Sequence, residues 1–335
     1  MASSPLLSAI CRSLGLCRRS LPVCSRNVIV ITGCDSGLGH SLAVYCHNAL
    51  NMTVVSCCHN LCSEGARLLK QLNGEDQQQR MHIYELDLLQ PASMERVEKE
   101  LVSLLDSDED YVFTALVNNA GVMCFGEFEW QTPGQVEHCI GVNVLGTMRL
   151  TKQLLPLVRQ KRARIINVTS HCGLQALPAL GPYAASKAAL RFWNDALRME
   201  LQQYGVEVIN FVPGSFVMAS NIAARQQDQA FEMFAAFNEE QRNHYGAYFK
   251  EFNTYLRILS GFKAPNQFQD EQLLSKFRDA LTSRHPKALY IHEPWRYKIY
   301  RWLFRLCPTP LVDWLAVQFC AMPSYRSVTD RKHST

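Results

Sequence analysis

The feature that most constrains this chain is a six-residue run, Asn27–Thr32 (NVIVIT), joined without a break to a glycine-rich turn. The run passes directly into Thr32-Gly33-Cys34-Asp35-Ser36-Gly37-Leu38-Gly39, then into the apolar helical pattern Leu42, Ala43, Tyr45, Cys46. A β-branched run without polar alternation is what a strand buried on both faces looks like, and such strands belong to parallel sheets. Glycine lets the backbone turn tightly from strand to helix and approach a ligand closely. The helix N-terminus then offers free N–H groups and a positive dipole end to a pyrophosphate. A lone glycine triplet is equally a packing turn. Its position between strand and helix is what points to a dinucleotide site.

The same alternation continues along the chain. Thr53–Cys57, Met81–Leu86, Val112–Val117, Arg164–Thr169 and Val206–Val212 read as strands, and Ala288–His292 fits a seventh strand at the sheet edge. Between them, Leu61–Leu72, Met94–Leu105, Gln135–Val158 and Tyr183–Gln203 read as helices. Strands alternating with helices predict an α/β protein with a doubly wound parallel sheet, a Rossmann fold. Residues 215–262 are polar, aromatic and helical, and 295–320 form an aromatic and basic tail. The chain therefore reads as a basic N-terminal segment (1–26), one domain (27–292) in which 215–262 covers the substrate, and a helical C-terminal extension (293–335).

Composition narrows the function. Hydrophobic residues make up 47% of 335, enough for a large core. The net charge is +4 with no basic cluster, which argues against a nucleic-acid partner. The 13 cysteines lack disulfide-framework spacing and any CxxC, so they read as reduced thiols in a cytosolic, mitochondrial or cytosol-facing setting. Cys57 and Cys58 would point to opposite faces of their strand. No cysteine–histidine cluster has metal-site spacing. No apolar run reaches the roughly 18–20 residues of a spanning helix. Arg12, Arg18, Arg19 and Arg26 with several serines and no acid resemble a mitochondrial presequence, and equally a frayed basic terminus.

The spacing TGxxxGxG differs from GxGxxG and resembles that of the short-chain dehydrogenase/reductase family. Three further segments match: Asn118-Asn119-Ala120-Gly121 after the fourth strand, Tyr183-Ala184-Ala185-Ser186-Lys187 with Ser170 thirteen residues upstream, and Pro213-Gly214 after the sixth. The resemblance covers about residues 27–215. TGCDSGLG and the later HPKALY and LVDWL look most like the branch of retinol, hydroxysteroid and 3-hydroxybutyrate dehydrogenases. Motif alone does not separate an insect steroid-pathway member from its neighbours.

That resemblance implies a nicotinamide cofactor. Gly33, Asp35, Ser36, Gly37, Leu38 and Gly39 would form its pyrophosphate turn. Asp87 would meet the adenine edge, although it also suits a helix N-cap ahead of Pro91. Asn118, Ala120 and Gly121 would line the adenosine side, with an asparagine-stabilised turn as the plainer reading. Pro213 and Gly214 would lie at the far end, with Tyr183 and Lys187 also touching cofactor. NAD is expected over NADP, which is not excluded. The end of the second strand, Cys57-Cys58-His59-Asn60, lacks the usual acid, but Asp35 in the turn would repel a 2′-phosphate.

Moving a hydride to or from an alcohol carbon needs a partner for the hydroxyl proton. Tyr183 is the candidate, and Lys187, one helical turn on, would lower its pKa. Ser170 would hold the substrate oxygen. Asn143 matches the family asparagine that orients a relay water. His171 beside Ser170 invites a serine-hydrolase reading, but neighbours on a strand face opposite ways and no GxSxG is present. The family often carries a threonine where this chain has Met218, so Ser215 or Ser220 would have to substitute.

Phe216, Met218, Phe231, Met233, Phe234, Phe237, Tyr245, Tyr248, Phe249 and Phe252 outnumber Arg225 and Arg242 in the segment after the sixth strand. Half of them read as helix packing, and the remainder suit a lipophilic steroid-, sterol- or retinoid-like substrate, with a short hydroxy acid as alternative. A non-catalytic binding protein on this fold is the other alternative, and the intact Ser170, Tyr183, Lys187 and Asn143 set argues against it. The aromatic and basic tail suits peripheral attachment to a membrane, or packing over the cleft. The expected setting is the endoplasmic reticulum surface or the mitochondrion, and the expected assembly is a homo-oligomer.

Overall fold

A computed structural model describes residues 20–76, 78–214, 217, 220–261, 263–265 and 270–326. Seven parallel strands form one sheet in the order β3-β2-β1-β4-β5-β6-β7. They are β1 (Asn27–Thr32), β2 (Thr53–Cys58), β3 (Met81–Glu85), β4 (Val112–Asn118), β5 (Arg164–Val168), β6 (Val208–Val212) and β7 (Leu289–Ile291). The helices are α1 (Gly37–Asn48), α2 (Glu64–Glu75), α3 (Pro91–Asp106), α4 (Pro133–Ile140), α5 (Thr147–Lys161), α6 (Gly181–Leu201), α7 (Gln226–Ala236), α8 (Glu239–Leu256), α9 (Glu271–Thr282), α10 (Trp295–Leu306) and α11 (Thr309–Cys320).

The period-two geometry of a strand sorts the core into two layers. Ile29, Ile31, Val54 and Val117 face one side, where Leu42 of α1 and Phe277 of α9 cover them. Val28, Val30, Val55 and Leu116 face the other, under Val97, Leu101, Leu150, Leu154 and Leu201. The cysteine pair divides as its register requires, Cys57 into one layer and Cys58 into the other. Truncating a side chain as buried as Phe277 in such a core costs about 3–5 kcal/mol.

The expected single helix Gln135–Val158 is three pieces. A π-helical segment, Gly141–Gly146, separates α4 from α5. Its glycines allow it: a Cβ on Gly146 would lie 2.6 Å from the Leu88 carbonyl oxygen, so the segment packs onto the loop after β3 more closely than any other residue permits. Residues 20–26 are already tied to the domain. Leu21 donates its N–H to Thr282, and Arg26 pairs with Asp108 and Asp110. The rest of the basic N-terminal segment, 1–19, lies outside the described residues.

Candidate active site

The chain runs outward from β1 to β3 on one side of the sheet and from β4 to β7 on the other. The crevice at the carboxyl ends of β1 and β4 is therefore a topological switch point. Here the Asn119 side-chain amide donates to the carbonyls of Thr32 (2.8 Å) and Gly33 (3.2 Å). Thr32 Oγ1 accepts from the N–H groups of Asn119 and Ala120, each at 3.0 Å. Gly33 has φ +71°, and a Cβ there would lie 2.8 Å from Ala120 Cα. The first turn of α1 is left open. Ser36 at its N-cap makes no side-chain cap bond, and the first turn carries no acid.

These free donors face a cavity of ≈ 470 Å³ lined by Gly33, Asp35, Ser36, Gly37, Leu38, Gly39, Asp87, Ala120, Gly121, Tyr183 and Lys187. Asp35 turns its carboxylate toward the end of β2, accepting from His59 N–H (2.8 Å) and Asn60 N–H (3.0 Å). Asp87 Oδ1 accepts from Leu89 N–H at 2.8 Å, an Asx turn; the N-cap of α3 is Gln90.

At the other end of the cleft, α6 buries Tyr183 and Lys187 on one face. Ser170, just past β5, accepts from Cys172 N–H at 3.1 Å and lies close enough to the Tyr183 phenol to favour its ionised form. Lys187 Nζ donates to the Val168 carbonyl at 3.1 Å and lies 5.8 Å from the centre of the Tyr183 ring. Burial lowers the Lys187 pKa to about 8, with the neighbouring Cys139 and Cys172 thiols acting in the other direction. Burial also pushes the Tyr183 phenol well above the usual tyrosine range, helped by Cys172 and opposed by Ser170. The expected lowering by Lys187 has no part in this shift: the ammonium sits over the ring face, and desolvation of the phenolate dominates.

Asn143 sits in the π-helical segment, fully buried. Its Oδ1 accepts from Val122 N–H (2.8 Å), and its Nδ2 donates to the Val122 carbonyl and Ser186 Oγ (both 2.9 Å). The side chain is thereby committed to holding the loop after β4 against α6.

The profile of the short chain dehydrogenase family matches residues 27–229. The chain belongs to that family. It is a nicotinamide-dependent oxidoreductase acting on CH–OH groups. It is 30% identical to mouse mitochondrial D-beta-hydroxybutyrate dehydrogenase over 83% of this chain and 79% of that one. To mouse retinol dehydrogenase 5 it is 33% identical, over 82% of each. To mouse estradiol 17-beta-dehydrogenase 2 it is 29% identical, over 92% of this chain and 78% of that one.

The residues of this short-chain dehydrogenase fit a nicotinamide dinucleotide. Ser220 Oγ lines the cleft, buried and without a hydrogen-bond partner among the described residues. It lies beside Gly37 of the glycine turn; Ser215, the other possible substitute for the missing threonine, and Met218 lie outside the described residues. A Cβ on Gly121 would come within 3.3 Å of both Lys187 Nζ and Asn143 Oδ1, so glycine keeps the approach to the ammonium open.

One expectation needs correcting. Asn118 does not line the cleft. It donates to Asn167 Oδ1 (2.7 Å) and Thr151 Oγ1 (2.9 Å), and Asn167 in turn donates to Asn194 (2.8 Å), a buried amide ladder tying β4 to β5 and α6. As the last residue of β4 it points into the core, and its neighbour Asn119 takes the cleft position. Gly214 has a further role where the chain leaves β6. Gly214 (φ +87°) lets β6 approach β7, where a Cβ would lie 2.8 Å from the His292 carbonyl oxygen. His59, His138 and Arg225 also line the cleft, and sequence reasoning misses them because none carries a local motif.

The aromatic segment after β6 is more core than open wall. Trp130 packs edge-on against Tyr245, Tyr248, Phe249 and Phe252, at 5.7, 5.1, 5.2 and 5.3 Å. Met233 and Phe237 join this apolar cluster, which also contains Tyr183. Phe231 and Phe234 face outward. Phe216 lies outside the described residues. His171 is held away from Ser170 chemistry: its Nε2 is 2.9 Å from Glu293 Oε2.

Proposed function

We propose that this short-chain dehydrogenase interconverts a secondary alcohol and a ketone on a lipophilic steroid-, sterol- or retinoid-like skeleton, using NAD(H). The observation that carries the reading is the meeting of the Tyr183 phenol, the Ser170 hydroxyl and the Lys187 ammonium beside a glycine-lined cleft, under an apolar cluster. A nicotinamide bound in that cleft supplies or takes up the hydride. Tyr183 carries the hydroxyl proton at its phenolic oxygen, and Ser170 holds the substrate oxygen. Lys187 binds the cofactor ribose and stabilises the phenolate once a substrate oxygen shares its proton. Asn143 is a positioning residue that locks the loop carrying Gly121 and Val122.

The carboxylate of Asp35, delivered to the end of β2, supports NAD, since it stands where an added 2′-phosphate would be repelled. The relatives that act on retinol and estradiol support a bulky apolar substrate. The hydroxybutyrate relative keeps a short hydroxy acid as the second reading. A short acid needs a fixed cation, but Arg225 is near Asp228 and Glu232, and Arg242 lies over the Phe234 ring. No described helix is long and apolar enough to cross a membrane. The exposed indoles of Trp295, Trp302 and Trp314 instead suit peripheral attachment to a membrane surface.

The test is competition against bound-NADH fluorescence. Steroids or retinoids quench it and inhibit turnover at micromolar levels if the reading is right. Quenching by 3-hydroxybutyrate-like acids alone assigns the short-acid substrate instead.

A further inference from the structure

Helix α10 has apolar and aromatic positions at the spacing of a packed helix, yet none of its residues is buried. Its inner face, Tyr297, Tyr300, Arg301, Phe304 and Arg305, meets the protein only in part, through Tyr297 on His171, Tyr300 on Phe319 and Arg301 on Glu293. It walls a cavity of ≈ 350 Å³. Leu174 and Leu177 from the loop after Ser170, Ile291 of β7 and Phe319 of α11 supply apolar walls opposite. The cavity falls at the small end of the roughly 300–1,000 Å³ typical of ligand sites.

The cavity is also cationic. Arg191 of α6 lines it together with Arg301 and Arg305. Arg301 is committed: its Nη2 and Nε reach Glu293 Oε1 at 2.8 and 3.1 Å. Arg191 and Arg305 have no carboxylate within ion-pair distance among the described residues. Two uncompensated guanidinium groups beside apolar walls select a ligand with one anionic end and one hydrocarbon end.

We propose that this cavity is a binding site for a single-chain amphiphile with an anionic head, a carboxylate or a phosphate monoester. Arg191 and Arg305 receive the head, and Leu174, Leu177, Ile291 and Phe319 receive the chain. It is not the reacting-substrate site, because Tyr183 opens onto the other cleft. It is nevertheless adjacent. His171, which lines the cavity, follows Ser170 directly, packs edge-on against Tyr297 at 5.1 Å and is anchored to Glu293. An occupant therefore braces the loop that carries Ser170.

The experiment is calorimetric titration of the full chain, saturated with NADH, with dodecanoate, dodecyl phosphate and dodecyltrimethylammonium below their micelle concentrations. At least one anion binds with one-to-one stoichiometry, and the cation of equal chain length binds at least tenfold more weakly. The tighter anion identifies the source, a free fatty acid or a lipid phosphate. Arg191→Gln with Arg305→Gln weakens the anion at least tenfold and leaves NADH affinity unchanged. Leu289 of β7 also lines the cavity, and Leu289→Trp, which fills it with the arginines intact, abolishes binding in a protein whose near-ultraviolet circular dichroism is native. Binding of neither anion, equal binding of the cation, or unchanged affinity in the arginine double variant or in folded Leu289→Trp overturns the proposal. None of these readouts depends on the substrate, so they stand apart from the proposed function.

Discussion

Asp35 lies in the glycine turn, yet its carboxylate is hydrogen-bonded to the main chain of His59, 2.8 Å away at the end of the neighbouring strand. The turn thus supplies a negative charge at a strand end whose own sequence, Cys57-Cys58-His59-Asn60, has none. The enzyme should use NAD at least tenfold better than NADP by kcat/KM. Asp35→Ser should narrow that ratio roughly tenfold, about 1.4 kcal/mol. Equal efficiency with both cofactors in the wild type would show that Asp35 does not discriminate.

Tyr183→Phe removes the phenolic oxygen and keeps the ring in its cluster. Turnover should fall roughly 10²–10⁴-fold with NADH affinity nearly unchanged. Lys187→Ala should damage both turnover and cofactor affinity. Near-normal turnover in Tyr183→Phe would end the assignment of the proton carrier.

Lys187 carries a stability cost of definite sign. Its folded pKa, about 8, lies below the ordinary lysine value of 10.5. Between those values the unfolded chain binds the proton more tightly, so the lysine's contribution to stability rises with pH across that window. Below pH 8 the penalty is complete, about 3 kcal/mol, partly offset by its bond to Val168. Lys187→Met should therefore raise Tm by a few degrees at pH 7 while abolishing activity. The difference from wild type should shrink from pH 8 to 10.5. Thermal melts at pH 7, 8.5 and 10 test this, and a pH-independent difference would refute it.

The tail should be tested by surface substitution rather than removal. Deleting residues 295–335 would also strip Arg301 from buried Glu293, Met322 from the aromatic cluster and Tyr325 from its stack on His244, whose ring centre is 4.8 Å away. Trp295, Trp302 and Trp314 are 73%, 56% and 57% exposed. Replacing all three by Ser should weaken co-sedimentation with anionic vesicles at least tenfold without altering solution turnover. Unchanged co-sedimentation would place the membrane contact elsewhere.

Much of the fold and the site is legible in the residue order because short-range rules govern it. The buried strands announce themselves as unbroken β-branched runs, and Asn27–Thr32 has the bounds that its composition predicts. Tyr183 and Lys187 share a face because four residues make one helical turn. Asn118 is misplaced by sequence reasoning because two adjacent asparagines end the strand, and only the pairing of β4 with β1 and β5 decides that the second faces the cleft. The π-helical segment is invisible in the sequence because its cause, the approach of Gly146 to Leu88, spans more than fifty residues.

The sequence by itself determined the parallel sheet, the glycine turn and the shared helix face of Tyr183 and Lys187. Each depends on backbone preference, helical period or strand period, all of which act within a few residues. Tertiary structure decided where charge and apolar surface finally lie. Folding carried the Asp35 carboxylate to the end of β2, gathered the aromatics of α8 around Trp130 rather than around an open pocket, and buried Lys187 until its pKa fell. Desolvation and packing depend on every element around a group, and no local pattern in the chain encodes them.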